Sequence, residues 1–69
     1  MLKRQLGRRI AELRQKAKLT QARLAEKSGY SIEFISLVER GINAPSVEGC
    51  GRIAKTLGVK VKDLFDDSE

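Results

Sequence analysis

Most of the groups able to contact a ligand gather between Thr20 and Gly41, in the stretch TQARLAEKSGYSIEFISLVERG. Its hydrogen-bonding and charged groups include Gln21, Ser31, Glu33, Ser36 and Arg40. The chain has no histidine and one cysteine, Cys50. That excludes a recognisable zinc site and an intrachain disulfide. There is no glycine-rich phosphate cradle and no nucleophile–base pair, so nothing here points to an enzyme and no cofactor is expected. The chemistry on offer is non-covalent: hydrogen bonds and charge contacts to a polar or charged partner.

The charge distribution points the same way. Fourteen Lys and Arg oppose nine Asp and Glu, for a net charge of +5. Lys3, Arg4, Arg8, Arg9, Arg14, Lys16 and Lys18 crowd the first eighteen positions against Glu12 alone. Asp63, Asp66, Asp67 and Glu69 dominate the end. A basic body with an acidic tail suits a polyanion partner on one side. A solvated helix face would carry the same charges, and charge alone does not choose between the two.

The elements that must position these groups are helices. Leu2, Leu6, Ile10, Leu13 and Ala17 recur every three or four residues and predict a first helix from about Leu2 to Ala17. Thr20 is a good N-cap for a second helix over about Gln21 to Lys27, stopped by Ser28-Gly29. Ser31 caps a third running to about Arg40, with Gly41 in its C-terminal left-handed position. Ile42-Asn43-Ala44-Pro45 reads as a loop. Ser46 caps a fourth helix with Val47, Cys50, Ile53, Ala54 and Leu57 on one face, ended by Gly58. A short last helix near Val61 to Phe65 offers Val61, Leu64 and Phe65 to the core. Gly49 and Gly51 inside the fourth helix cost about 1 kcal/mol each relative to alanine. Lys60 stands where a capping side chain is preferred. No alternating strand pattern appears, so the fold class is all-α, with five helices in one domain over 1–69.

Two short amphipathic helices, with Leu24 and Ala25 facing inward on one and Ile35 and Val38 on the other, meet at Gly29. This is the helix-turn-helix pattern, at about 20–40, whose second helix can enter the DNA major groove. From Leu6 to Phe65 the chain resembles the Xre/lambda-repressor-like (Cro/C1-type) helix-turn-helix domains. The resemblance is carried in order by LGRRIAELRQKAKLTQARLAEKSG, SIEFISLVERG, the PS of NAPS, and RIAKTLGVKVKDLF. It implies a compact five-helix DNA-binding domain. It further implies that Gln21 binds phosphate at the start of the second helix, where helix geometry also favours an anion. Arg14 and Glu39 match the family's ion pair between the first and third helices. Arg40 and Asn43 flank the turn where the family commonly grips phosphate.

Base contacts are expected from Ser31, Ile32, Glu33, Ser36 and Leu37. No Gln, Asn or Arg stands at Ile32 or Glu33, so bidentate purine reading is not evident there. Ile32 and Leu37 can pack on thymine methyls or serve as core or partner contacts; Glu33 can accept from a cytosine amino group; Ser36 can bond any base edge. Tyr30 can donate to a phosphate or pack its ring on the turn, and Phe34 is expected to be partly buried. Arg9, Lys16, Lys18, Arg23 and Lys27 add general attraction. Cys50, where the family usually has leucine, is expected to be buried.

The function expected is a sequence-specific DNA-binding transcriptional regulator, a homodimer on an inverted repeat in double-stranded DNA. The resemblance places its dimer surface near Asn43, Pro45, Leu57, Val59 and Phe65. The competing reading is a protein-interaction module that uses the same helix to bind a partner protein. A regulatory protein partner, or a further region beyond this chain, fits either. No apolar run approaches the ~20 residues of a membrane span, and MLKRQLGRRI lacks a signal peptide's apolar segment. A cytoplasmic location is therefore expected.

Overall fold

The computed structural model describes residues 2–65. Asp66, Asp67 and Glu69, counted above in the acidic tail, lie outside the described residues. Five helices follow in order: α1 (Leu2–Lys16), α2 (Gln21–Ser28), α3 (Ile32–Glu39), α4 (Val47–Leu57) and α5 (Val61–Leu64). No strand occurs among the described residues.

Local chemistry sets most boundaries. The Thr20 Oγ1 accepts from the Arg23 N–H at 3.1 Å, the Ser31 Oγ from Phe34 at 3.1 Å and the Ser46 Oγ from Gly49 at 3.0 Å. Each cap satisfies an otherwise unpaired donor and contributes about 1 kcal/mol. Lys60 has no acceptor to offer; the Asp63 carboxylate reaches back and accepts its N–H at 3.0 Å instead. Ser28, expected to stop α2, is the last residue of the helix. It is buried, and its hydroxyl donates to the Leu24 carbonyl at 2.6 Å. Gly29 makes the turn, with φ +82°, a conformation that costs an L-residue with a Cβ.

Every helix contributes to one core. α1 supplies Leu6, Ile10 and Leu13, α2 Leu24 and Ala25, and α3 Ile35 and Val38. α4 adds Cys50, Ile53, Ala54 and Leu57, and α5 adds Leu64. Several residues expected on these stripes are not in it. Leu2 and Ala17 sit at the two ends of the α1 stripe and are exposed. Val47, the first residue of α4, is 87% exposed. Val61 and Phe65 are also exposed, because α5 is a single turn and buries only Leu64. The apolar periodicity continues past the span that has a packing partner. Leu57, expected at a dimer surface, belongs to the core, and Val59 packs against it.

The two glycines of α4 differ. A Cβ at Gly49 would land on the Tyr30 hydroxyl and lie 3.2 Å from the Pro45 Cβ, so the helix approaches its neighbours only without one. A Cβ at Gly51 would meet nothing within 4 Å.

Candidate nucleic-acid interface

α3 divides into two faces. Ile35 and Val38 are wholly buried. Opposite them lie Glu33 and Arg40, both exposed, flanked by half-buried Ser36 and Leu37. Ile32 stands at the start of the helix, 44% exposed. Ile32 and Ser36, like Glu33 and Leu37, are four residues apart and therefore neighbours on the helix surface. The Ser31 oxygen is occupied as the N-cap. The structure thus brings Ile32, Glu33, Ser36 and Leu37 onto one side of one short helix, with Ser31 just before it as the N-cap.

The start of α2 is tied to the end of α3 by a charged cluster. The Glu39 side chain, 7% exposed, accepts from the Arg14 Nε at 2.6 Å and the Arg14 Nη2 at 3.2 Å. Its Oε1 also accepts from the Gln21 Nε2 at 2.9 Å. The remaining Arg14 nitrogen, Nη1, donates to the Leu19 carbonyl at 2.8 Å. A two-bond guanidinium–carboxylate pair fixes orientation as well as distance. Three helices therefore meet at one carboxylate, and the Gln21 amide is held at the α2 N-terminus, where backbone N–H groups lack intrahelical partners.

Gly7 makes this meeting possible. A Cβ there would run into the Val38 carbonyl oxygen and lie 3.1 Å from the Glu39 backbone, so α1 touches α3 directly. The signal for it in the sequence is a glycine inside a helical pattern, which costs stability unless packing requires it.

Just beyond this cluster, past the C-terminal end of α3, the chain turns back sharply. The Gly41 N–H donates to Val38 O at 3.0 Å and the Ile42 N–H to Leu37 O at 2.9 Å. The first turn of α1 lies against this bend. A Cβ at Gly41 would come within 2.9 Å of the Arg4 Cα, and the Lys3 Nζ donates to Ile42 O at 3.4 Å. Arg40, exposed, and Asn43, half-buried, thus share this corner with Lys3 and Arg4. The sequence marks both as part of the basic run of the first eighteen residues but not as neighbours of this corner, because more than thirty residues separate them from the bend they touch.

Tyr30 is placed apart from the other candidates. Its ring stacks on Phe34 with centroids 4.6 Å apart, and its hydroxyl abuts Gly49 of α4. The Arg52 guanidinium lies 5.1 Å from the centre of the same ring, while its Nε donates to Ser28 O at 2.9 Å. The ring packs the turn onto α4, the second of the two roles expected for it, and Phe34 is partly buried as expected. Arg9 is likewise engaged internally: its Nε donates to Asp63 O at 2.8 Å, joining α1 to α5. Arg23 pairs loosely with Glu26 at 3.4 Å; Lys16, Lys18 and Lys27 are exposed. Cys50 is buried, and desolvation pushes its thiol pKa up. Among the described residues there is no cluster of potential metal ligands and no helix long and apolar enough to cross a membrane.

A bipartite helix whose outer face is free of core contacts, preceded by a capped helix across a glycine turn, defines a helix-turn-helix domain. The chain belongs to the helix-turn-helix family, of the Xre/Cro/C1 type: the family's sequence profile matches residues 10–64. It is 32% identical over 63 residues to the HTH-type transcriptional regulator PuuR of Escherichia coli, covering 91% of this chain and 34% of that protein. It is 38% identical over 62 residues to the immunity repressor protein of Bacillus phage phi105, covering 90% of this chain and 43% of the repressor. The chain thus spans well under half the length of these two relatives. The crystal structure of the restriction-modification controller protein C.AhdI from Aeromonas hydrophila superposes with a TM-score of 0.88 at 32% identity, over 91% of this chain and 96% of that one. The family is one of DNA-binding transcriptional regulators.

Proposed function

We propose that this chain is a sequence-specific transcriptional regulator that binds an inverted-repeat operator as a homodimer, with the helix at 31–40 in the major groove. The observation that carries this reading is the two-faced α3. Its inner residues are wholly buried, its outer residues have no duty in the core, and candidate phosphate contacts gather around its C-terminal end. Gln21 is there, bonded to Glu39, and Arg40, Asn43, Lys3 and Arg4 surround the bend that follows. Ser31, Ile32, Glu33, Ser36 and Leu37 are the base-facing set, while Tyr30 acts through packing of the turn. The Arg14–Glu39 pair holds the reading helix against α1. A cytoplasmic location, where such operators lie, accords with this reading.

The homodimer is supported by an apolar groove on α1, α4 and α5. Leu2, Pro45, Val47, Val61 and Phe65 line it, with Cys50 at its floor. Four of the six large exposed apolar side chains among the described residues border it. A second copy seated there by two-fold symmetry removes that surface from water. Within this reading, the whole chain acts as a single helix-turn-helix domain.

The test is selection of bound duplexes from a random DNA pool at near-physiological salt. An enriched inverted repeat with half-sites about 34 Å apart is expected. With Lys3, Arg4 and Arg40 of both protomers on phosphates, log affinity falls against log salt with a slope of about −5. A folded chain that enriches nothing overturns the reading and favours the use of α3 as a protein-docking helix.

A further inference from the structure

We propose that α3 reads its half-site through pyrimidines: thymine methyls against Ile32 and Leu37, and a cytosine amino group on Glu33. The inference rests on the DNA-binding function proposed above and says what that surface recognises.

Purines are ordinarily read by two-point hydrogen bonding from Arg, Lys, Asn or Gln. This chain places none of them in the middle of the outer face. Arg40 stands at the C-terminal end of α3, beside Lys3 and Arg4, in a corner suited to phosphate. The Gln21 amide nitrogen is engaged by Glu39. Asn43 lies in the loop beyond the helix. What remains is two apolar side chains, one carboxylate and the Ser36 hydroxyl.

Each remaining group has a narrow set of complements in the major groove. Ile32 is 44% exposed on a domain whose core is complete without it, and the thymine C5-methyl is the apolar group the groove offers. Glu33 is exposed and has no hydrogen-bond partner among the described residues. A carboxylate only accepts. Guanine and the thymine O4 present acceptors that repel it, and adenine pairs its amino group with the acceptor N7. The cytosine N4 amino group is the edge that suits a carboxylate. Because Glu33 and Leu37 are neighbours one turn apart, the cytosine and a thymine lie close together in the half-site.

The test uses the selected operator with deoxyuridine replacing thymidine, one symmetric pair of positions at a time. This removes a methyl and leaves every hydrogen-bonding group in place. Affinity should fall roughly fourfold per methyl lost, about fifteenfold for a symmetric pair. Ile32→Ala should bind thymidine and deoxyuridine operators alike at its position, and Ile32 lies outside the core, so the variant keeps the fold. Glu33→Gln should move the preference at one position from cytosine to adenine. Sequence-specific binding that ignores deoxyuridine everywhere overturns the inference and leaves the DNA-binding function standing. Binding without any sequence preference overturns both.

Discussion

Replacing Glu39 by Gln tests the charged cluster that joins three helices. The carboxylate is 7% exposed and its partner Arg14 14% exposed, with the closest approach 2.6 Å. Removing one member of a fully buried pair costs about 3–5 kcal/mol, chiefly because the other charge is left unpaired. Here the loss is smaller. Arg14 retains the Leu19 carbonyl, and the new amide keeps one oxygen to accept from it. Its NH2 group, however, faces the donors of Arg14 or Gln21. We expect a loss of about 2–3 kcal/mol. A chain of 69 residues has a total stability of about 4–10 kcal/mol. Its unfolding entropy is about 0.15 kcal/mol/K, so Tm should drop by about 14–20 °C. Urea titration measures the free energy and circular dichroism the Tm. Arg14→Met/Glu39→Leu should lose less than the two single changes summed, because no charge is then stranded. A Glu39→Gln variant within about 0.5 kcal/mol of the parent, the size of a surface substitution, or additive single and double changes would refute the reasoning.

Four further outcomes are expected. Gly7→Ala forces a Cβ onto the Val38 carbonyl and should destabilise by about 1–3 kcal/mol, whereas Gly51→Ala, in open space, should stabilise by up to about 1 kcal/mol; urea melts of the two variants should diverge in sign. Gln21→Ala should weaken binding to all sequences alike, while Glu33→Ala should relax the preference at one position per half-site by about 1–3 kcal/mol, read from competition against base-substituted operators. Val47→Asp changes a residue 87% exposed, so the fold should survive while sedimentation shows a shift toward monomer and operator affinity falls; an unchanged dimer removes Val47 from the interface. Burial raises the Cys50 thiol pKa, so folding favours the protonated form. That contribution is complete below the unfolded thiol's value of about 8.5 and fades as pH climbs through the higher folded value. Cys50→Ala should therefore lose less stability than the parent between neutral and strongly alkaline pH, as followed by denaturant melts.

What the sequence made legible is what local chemistry decides. Thr20, Ser31 and Ser46 cap their helices because a hydroxyl next to an unpaired N–H needs no distant partner. The interior of each apolar stripe reached the core because several helices surround it. The misreadings have tertiary causes. Val47, Val61 and Phe65 continue an apolar pattern past the last neighbour able to cover them. Gly7, inside a helical run, is explained by the carbonyl of a residue far along the chain. Lys18 turns the end of α1 with φ +61°, a position that a glycine would have announced. Lys3 and Arg4 join the candidate interface through a bend near Gly41 that no pattern in their own helix reveals. The bond from Gln21 to Glu39 links residues whose separate roles the family resemblance implied, without implying that they touch.

The division of α3 into buried and unburdened faces has a consequence for how such a chain changes over time. Ile32, Glu33 and Arg40 can be exchanged with little penalty to folding, since Ile35 and Val38 hold the helix in place and the Glu39 cluster holds its end. On the function proposed above, target preference can therefore drift, be duplicated or be rewritten in the laboratory while the scaffold stays unaltered. A library confined to Ile32, Glu33, Ser36, Leu37 and Arg40 would then sample new addresses on the genome from one unchanging architecture.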